Sequence, residues 1–180
     1  MQLPVPDERH LVLVGLPGAG KTTIGRQVAA RLDRPFVDFD EVIEAESGSS
    51  IAGLFASEGE AGFRRHEKEL TARLVSVSAA VLSPGGGWIT RESTAALLRP
   101  RSRLVWLQVS PAEAARRLGA TASKRPLLSG DPEVQLEELL RVRERYYVTA
   151  DSSIDTELFS PQLLVEHVAR LASLPDGAVG

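Results

Sequence analysis

Along the chain the spacing of apolar residues changes several times, and each change marks an element. Leu11-Val12-Leu13-Val14 is a continuous apolar run, the pattern of a strand buried on both faces. Ile24, Val28 and Leu32 then recur at every fourth position, which predicts a helix. Arg34-Pro35 ends that pattern, and Phe36-Val37 opens a second short strand that closes on Asp38-Phe39-Asp40. Strand, helix, strand at this length is a βαβ unit, and the expected product is a parallel sheet. Residues 41–80 are helical in pattern, interrupted near Gly48 and again near Gly59 to Gly62, with Phe63, Leu70 and Leu74 on one apolar face. Ala80-Val81-Leu82-Ser83 is a third strand, Thr90 to Leu98 a helix capped by Thr90, and Arg103 to Val109 a fourth strand. Ser110-Pro111 opens a helix to about Leu118, with proline at its first position. After a polar, irregular stretch the pattern is helical from Pro132 to about Ala150, and Ile154 belongs to a last short strand. Ser160-Pro161 starts a terminal helix carrying Leu164, Val168 and Leu171. Residues 173–180 are expected to fray.

With 180 residues and no internal repeat or linker, one domain over 1–180 is expected. A net charge of −3 gives no reason to expect a nucleic-acid partner. No cysteine is present, which excludes disulfides and thiolate metal sites, and His10, His66 and His167 are too scattered to build a histidine metal site. The first ten residues hold no apolar segment of the signal-peptide kind, and no run approaches the ~20 apolar residues that span a bilayer. No membrane partner and a cytoplasmic location are therefore the expectation.

Gly15-Leu16-Pro17-Gly18-Ala19-Gly20-Lys21-Thr22 lies between the first strand and the first helix, and it fits G-x-x-x-x-G-K-[ST] without a mismatch. The glycines let successive N–H groups turn inward as a nest for anionic oxygens, and the helix start adds its own N–H groups and the positive end of its dipole. Lys21 can reach the outer phosphates, and the Thr22 hydroxyl can ligate Mg²⁺. An ATP site over residues 15–22 is the result.

Asp38 and Asp40 stand at a strand end, where doubly wound sheets place their ligands, and alternation would put both on one side with Phe39 turned away. One carboxylate could join the Mg²⁺ shell while the other meets the phosphate acceptor; alternatively Asp40 caps the helix that follows. Arg64 and Glu67 are helix neighbours, which by itself reads as a solvated ion pair. The run Gly85-Gly86-Gly87 suggests a close backbone approach, or else a tight surface turn. The stretch from Gly119 to Asp131, with Lys124, Arg125 and Pro126, has the composition of a functional loop.

Gly15 to Thr23, Asp38-Phe39-Asp40, Phe63-Arg64-Arg65-His66-Glu67, Gly85-Gly86-Gly87, Arg125-Pro126-Leu127-Leu128 and Arg143 through Tyr147, in this order, resemble the shikimate kinases from about Leu11 to Leu171. The resemblance implies an α/β, three-layer P-loop kinase fold, with a five-stranded parallel sheet flanked by helices and a mobile lid over about 119–131. It also implies transfer of a phosphoryl group from ATP, with Mg²⁺, to the 3-hydroxyl of shikimate, by a monomer. In that comparison Lys21, Asp40 and Arg125 are catalytic, while Thr22 and Asp38 hold the metal. Gly18, Ala19, Gly20, Lys21, Thr22, Thr23, Arg117, Arg125 and Pro161 contact the nucleotide. Asp40, Arg64, Gly85, Gly86, Gly87 and Arg143 bind the acceptor, with an acceptor-binding region over about 40–67. Trp88 stands at the edge of the acceptor pocket, where the family more often has a small or aliphatic residue. A gluconate kinase and a catalytically silent, ligand-sensing relative are the competing readings.

Overall fold

The computed structural model describes residues 8–119 and 130–172. Five strands form one sheet in the order β2-β3-β1-β4-β5, with β1 at His10–Val14, β2 at Phe36–Asp38, β3 at Val81–Ser83, β4 at Ser102–Gln108 and β5 at Ser152–Asp155. Every neighbouring pair is parallel. The helices are α1 (Lys21–Leu32), α2 (Phe39–Ser47), α3 (Ile51–Leu74), α4 (Glu92–Leu98), α5 (Pro111–Leu118), α6 (Pro132–Tyr147) and α7 (Pro161–Leu171). The five-stranded parallel α/β architecture expected from the sequence is the one observed.

β1 lies at the centre because Leu11 to Val14 have nothing polar to show a solvent-facing surface: all four are buried against the neighbouring strands and helices. The chain leaves β1 toward α1, and β3 and β4 lie on opposite sides of it. This is the point where strand order reverses, and a crevice opens there beyond the carboxyl ends of the strands.

His10, at the start of β1, ties this strand to the end of α3 and to the residue before β3. Its Nδ1 accepts the Ala80 N–H at 3.1 Å, so its Nε2 carries the proton and donates to the Leu74 carbonyl at 2.9 Å. Burial is the main cause that holds the imidazole below its ordinary pKa, and the charges of Arg101 and Arg34 add to it.

Side-chain caps start most of the helices: Asp38 for α2, Ser50 for α3, Ser110 for α5, Asp131 for α6 and Ser160 for α7. Two expectations about caps are corrected. The cap of α2 is Asp38, which accepts from the N–H groups of Asp40 and Glu41 at 3.1 and 3.5 Å, and not Asp40. Thr90 does not cap α4; it ends a 3-10 turn over Trp88–Thr90, and its hydroxyl donates back to the Gly87 carbonyl at 2.7 Å. Within α3 the break falls at Gly59 alone, with φ 68° and ψ −177°, while Gly62 stays within the helix.

Candidate active site

α1 has an N-terminus unlike those of its neighbours. Its first flanking residue, Gly20, supplies no capping side chain, and its first turn contains no acid. The orphan N–H groups and the dipole are thus left to an anion. Gly18 shows why the loop is glycine-rich: its φ is +85°, and a methyl group there would come within 2.6 Å of the Ala114 carbonyl oxygen. Lys21 folds back over this loop, its Nζ donating to the carbonyls of Gly15 and Leu16 at 3.0 and 2.9 Å.

Lys21, Thr22 and Thr23 share one cleft of about 580 Å³ with Asp38, Asp40, Gly85 and Gly86, and its far end is lined by Arg117, Phe159 and Pro161. Gly18, Ala19 and Gly20 line it as well. The Thr22 hydroxyl donates to Asp38 Oδ2 at 2.7 Å, so the two proposed metal ligands are already in contact. These are hard oxygen donors, the kind Mg²⁺ takes, and Mg²⁺ usually keeps waters and phosphate oxygens beside one or two protein ligands. Among the described residues no cluster of three or more His, Asp or Glu forms a cage for a metal. The pair therefore fits Mg²⁺ bound together with a nucleotide.

Strand alternation does not explain why Asp38 and Asp40 meet in the cleft. β2 ends at Asp38 and α2 begins at Phe39, so Asp38 is the cap and Asp40 sits in the first turn of the helix. Phe39 turns into the core, where its ring meets Trp88 edge-on at 6.4 Å.

Against the start of the phosphate loop, side chains from distant parts of the chain converge on the glycine run. A methyl group on Gly87 would lie 2.6 Å from Arg64 Nη2, and one on Gly86 would lie 2.9 Å from Arg143 Nη1 and 3.0 Å from the Gly15 carbonyl. One on Gly85 would meet Glu67 Oε1 at 3.1 Å and Asp40 Oδ1 at 3.9 Å. The run is therefore a close approach of backbone to guanidinium, and the surface-turn reading is set aside. Tyr147, buried one turn after Arg143, donates its hydroxyl to the Gly86 carbonyl at 2.9 Å and stacks on Trp106 at 5.7 Å.

The Arg64–Glu67 pair is not a solvated one. Arg64 Nη1 donates to Glu67 Oε2 at 2.6 Å, and the Glu67 side chain is only 2% exposed. Glu60 Oε1 accepts from Arg64 Nε and Nη2 at 3.2 and 3.1 Å, and also from Arg91 at 3.0 Å. Burial works against the Arg64 charge, but the carboxylates of Glu67 and Glu60 outweigh it and hold the guanidinium protonated. Burial pushes the Glu67 carboxyl above the usual carboxylate range, and the nearby Asp40 charge adds to the shift against the pull of Arg64.

A family model described as shikimate kinase matches residues 17–172. The chain belongs to the shikimate kinase family. A shikimate kinase of Pseudomonas syringae pv. syringae is 42% identical over 172 residues, covering 93% of this chain and 98% of that protein. The structure titled as a shikimate kinase from Acinetobacter baumannii in complex with shikimate superposes with a TM-score of 0.86 at 36% identity, over 92% of this chain and 93% of that one. A gluconokinase from Sinorhizobium meliloti reaches a TM-score of 0.62 at 15% identity over 93% of each chain, which speaks to the fold alone.

In this shikimate kinase family member Trp88 does not line the cleft: it is 1% exposed, and its indole N–H donates to the Thr71 hydroxyl at 3.0 Å. Glu67 and Tyr147, which support the acceptor end, were visible in the sequence only as members of longer motif stretches. Arg125, Lys124 and the lid expected over about 119–131 lie outside the described residues, apart from Gly119, Gly130 and Asp131.

Proposed function

We propose that the chain transfers the γ-phosphoryl group of ATP to the 3-hydroxyl of shikimate, giving shikimate 3-phosphate and ADP. The supporting observation is the meeting of two unlike sets of groups in one cleft: the backbone nest with Lys21, and Asp40 with Gly85 and Gly86, next to which Arg143 approaches Gly86 and Arg64 approaches Gly87 without lining the cleft themselves. Shikimate is a carboxylate bearing three hydroxyls. Arg64 and Arg143 offer the planar, forked donors that carboxylates take, and Asp40 offers an acceptor for a hydroxyl proton.

In this reading Gly18 to Thr23 hold the phosphates, and Lys21 exchanges its contacts to loop carbonyls for contacts to phosphate oxygens. Asp40 orients the acceptor hydroxyl; as its oxygen bonds to the γ-phosphorus, the proton passes to the carboxylate and ADP leaves. Thr22 and Asp38 would hold Mg²⁺, which when bound neutralises charge on the phosphates. Arg125 is assigned to the same charge from the lid. Arg117 and Pro161 are assigned to the adenine. A single domain, acting as a cytoplasmic monomer, completes the proposal, since one chain supplies both sets of groups.

The test is ATP consumption with shikimate, with gluconate and with no acceptor. Turnover with shikimate alone is expected. Turnover only with gluconate, or nucleotide binding without turnover, would replace this reading.

A further inference from the structure

The far lobe of the cleft, between α5 and the start of α7, contains a cluster around Arg117 in which Glu113 and Thr156 have had no role so far. Arg117 is held there by its edge: Nε donates to Glu113 Oε1 at 2.7 Å, Nη1 to the Thr156 hydroxyl at 2.8 Å and Nη2 to the Thr156 carbonyl at 3.3 Å. The Thr156 hydroxyl gives its own proton to the Gln108 carbonyl at 2.8 Å, so it meets Arg117 as an acceptor. Glu113 is anchored in turn. Arg116 grips its carboxylate through Nε and Nη2 at 2.6 and 2.7 Å, and its N–H donates to the capping Ser110 hydroxyl at 3.3 Å. The hydrogen bonds from Arg116, then Arg117, hold the Glu113 carboxyl down to about 2, so it stays charged at any working pH. Glu157 accepts the Ser110 N–H at 2.6 Å, which ties the turn after β5 to the first turn of α5.

A guanidinium is planar. When its N–H edge is occupied, its face is what remains to offer, and that face stacks on flat rings. We propose that Glu113 is a positioning residue of the nucleotide site: with Thr156 it clamps the edge of Arg117 and presents the guanidinium face to the slot that takes the nucleobase. This rests on the nucleotide reading of the cleft. It adds an acid that contacts no ligand itself, and it separates base recognition from phosphate recognition.

The experiment titrates wild type, Glu113→Ala, Glu113→Gln and Thr156→Val with ADP and with inorganic tripolyphosphate, which carries the charge but no base. Loss of a charge-assisted hydrogen bond to Arg117 is expected to weaken ADP about tenfold in Glu113→Ala, with Glu113→Gln, which keeps one acceptor oxygen, recovering part of the loss. Thr156→Val should weaken ADP alike, and the double variant should fall short of the product of the single effects, because both act through Arg117. Tripolyphosphate should bind all variants within about twofold of wild type. In turnover, the KM for ATP should rise with kcat and the KM for shikimate unchanged. Equal weakening of ADP and tripolyphosphate would mark a merely structural role and overturn the proposal; so would unchanged ADP affinity. The ADP titration needs no acceptor, so it reads the clamp even if shikimate is not the substrate, and its failure leaves the acceptor assignment intact.

Discussion

The two ends of the cleft are built by opposite methods. The phosphate end is one contiguous stretch of backbone, Gly15 to Thr22, whose anion preference comes from N–H groups and an uncapped helix start. The end proposed for the acceptor is assembled from side chains of α2, α3 and α6 brought against a glycine run that follows β3. Backbone recognition tolerates any chemistry that carries phosphates, whereas side-chain recognition can be matched to one small acid. A shared fold, such as the one this chain has in common with a gluconokinase, therefore does not by itself fix the acceptor.

The comparison can be broken most directly at Lys21. Lys21→Met is expected to lower kcat by about 10²–10³-fold, the usual cost of removing one charge-stabilising donor, while shikimate affinity measured by calorimetry stays as in wild type. A parallel loss of shikimate affinity would show that the two ends are not separable. Arg64→Ala should do the reverse: about 10–100-fold in the KM for shikimate, from a lost charge-assisted contact, with ADP affinity unchanged. An unchanged KM would return Arg64 to a structural ion pair. Gly87→Ala sharpens the point without removing a charge, because its methyl would press on Arg64 Nη2 at 2.6 Å. The expected rise in shikimate KM is about tenfold or less, since a flexible side chain can partly yield. No change would mean that the glycine's closeness is incidental.

The smallest expected effect lies away from the cleft, at the start of β1. The His10 pKa is lowered in the folded protein, so the unfolded chain binds the extra proton more readily. The stability gained from neutral His10 is present above its ordinary value of 6.5 and is lost as pH falls below that value through the folded-state pKa. His10→Gln can keep a donor and an acceptor but cannot titrate. Between about pH 7.5 and 5 the melting temperature of wild type should fall about 2 °C or more further than that of His10→Gln. Equal slopes would remove His10 from the acid response.

The same contrast explains what could be read from the chain. The phosphate loop was legible because its chemistry is local: three glycines, Lys21 and Thr22 in register between a strand and a helix. The parallel sheet was legible because β1 is continuously apolar. The Asp38-Phe39-Asp40 turn was only half legible, since the switch from strand to helix falls inside it and moves the cap from Asp40 to Asp38. The fate of the Arg64–Glu67 pair was hidden, because spacing makes them neighbours but only the glycine run arriving from residue 85 onward buries them. Thr156 was hidden for the same reason, since the bond from Arg117 to Thr156 spans 39 residues of sequence, whereas Glu113 is only four residues from Arg117 and spacing alone reads that pair as a surface ion pair.

The position of Trp88 has a practical side. The chain has two tryptophans, and this one lies directly beneath the acceptor end, its indole tethered to Thr71 and flanked by Phe39. If the acceptor binds there as proposed, its occupancy is expected to change the protein's own ultraviolet emission, and replacing Trp106 by phenylalanine would leave Trp88 as the single optical reporter.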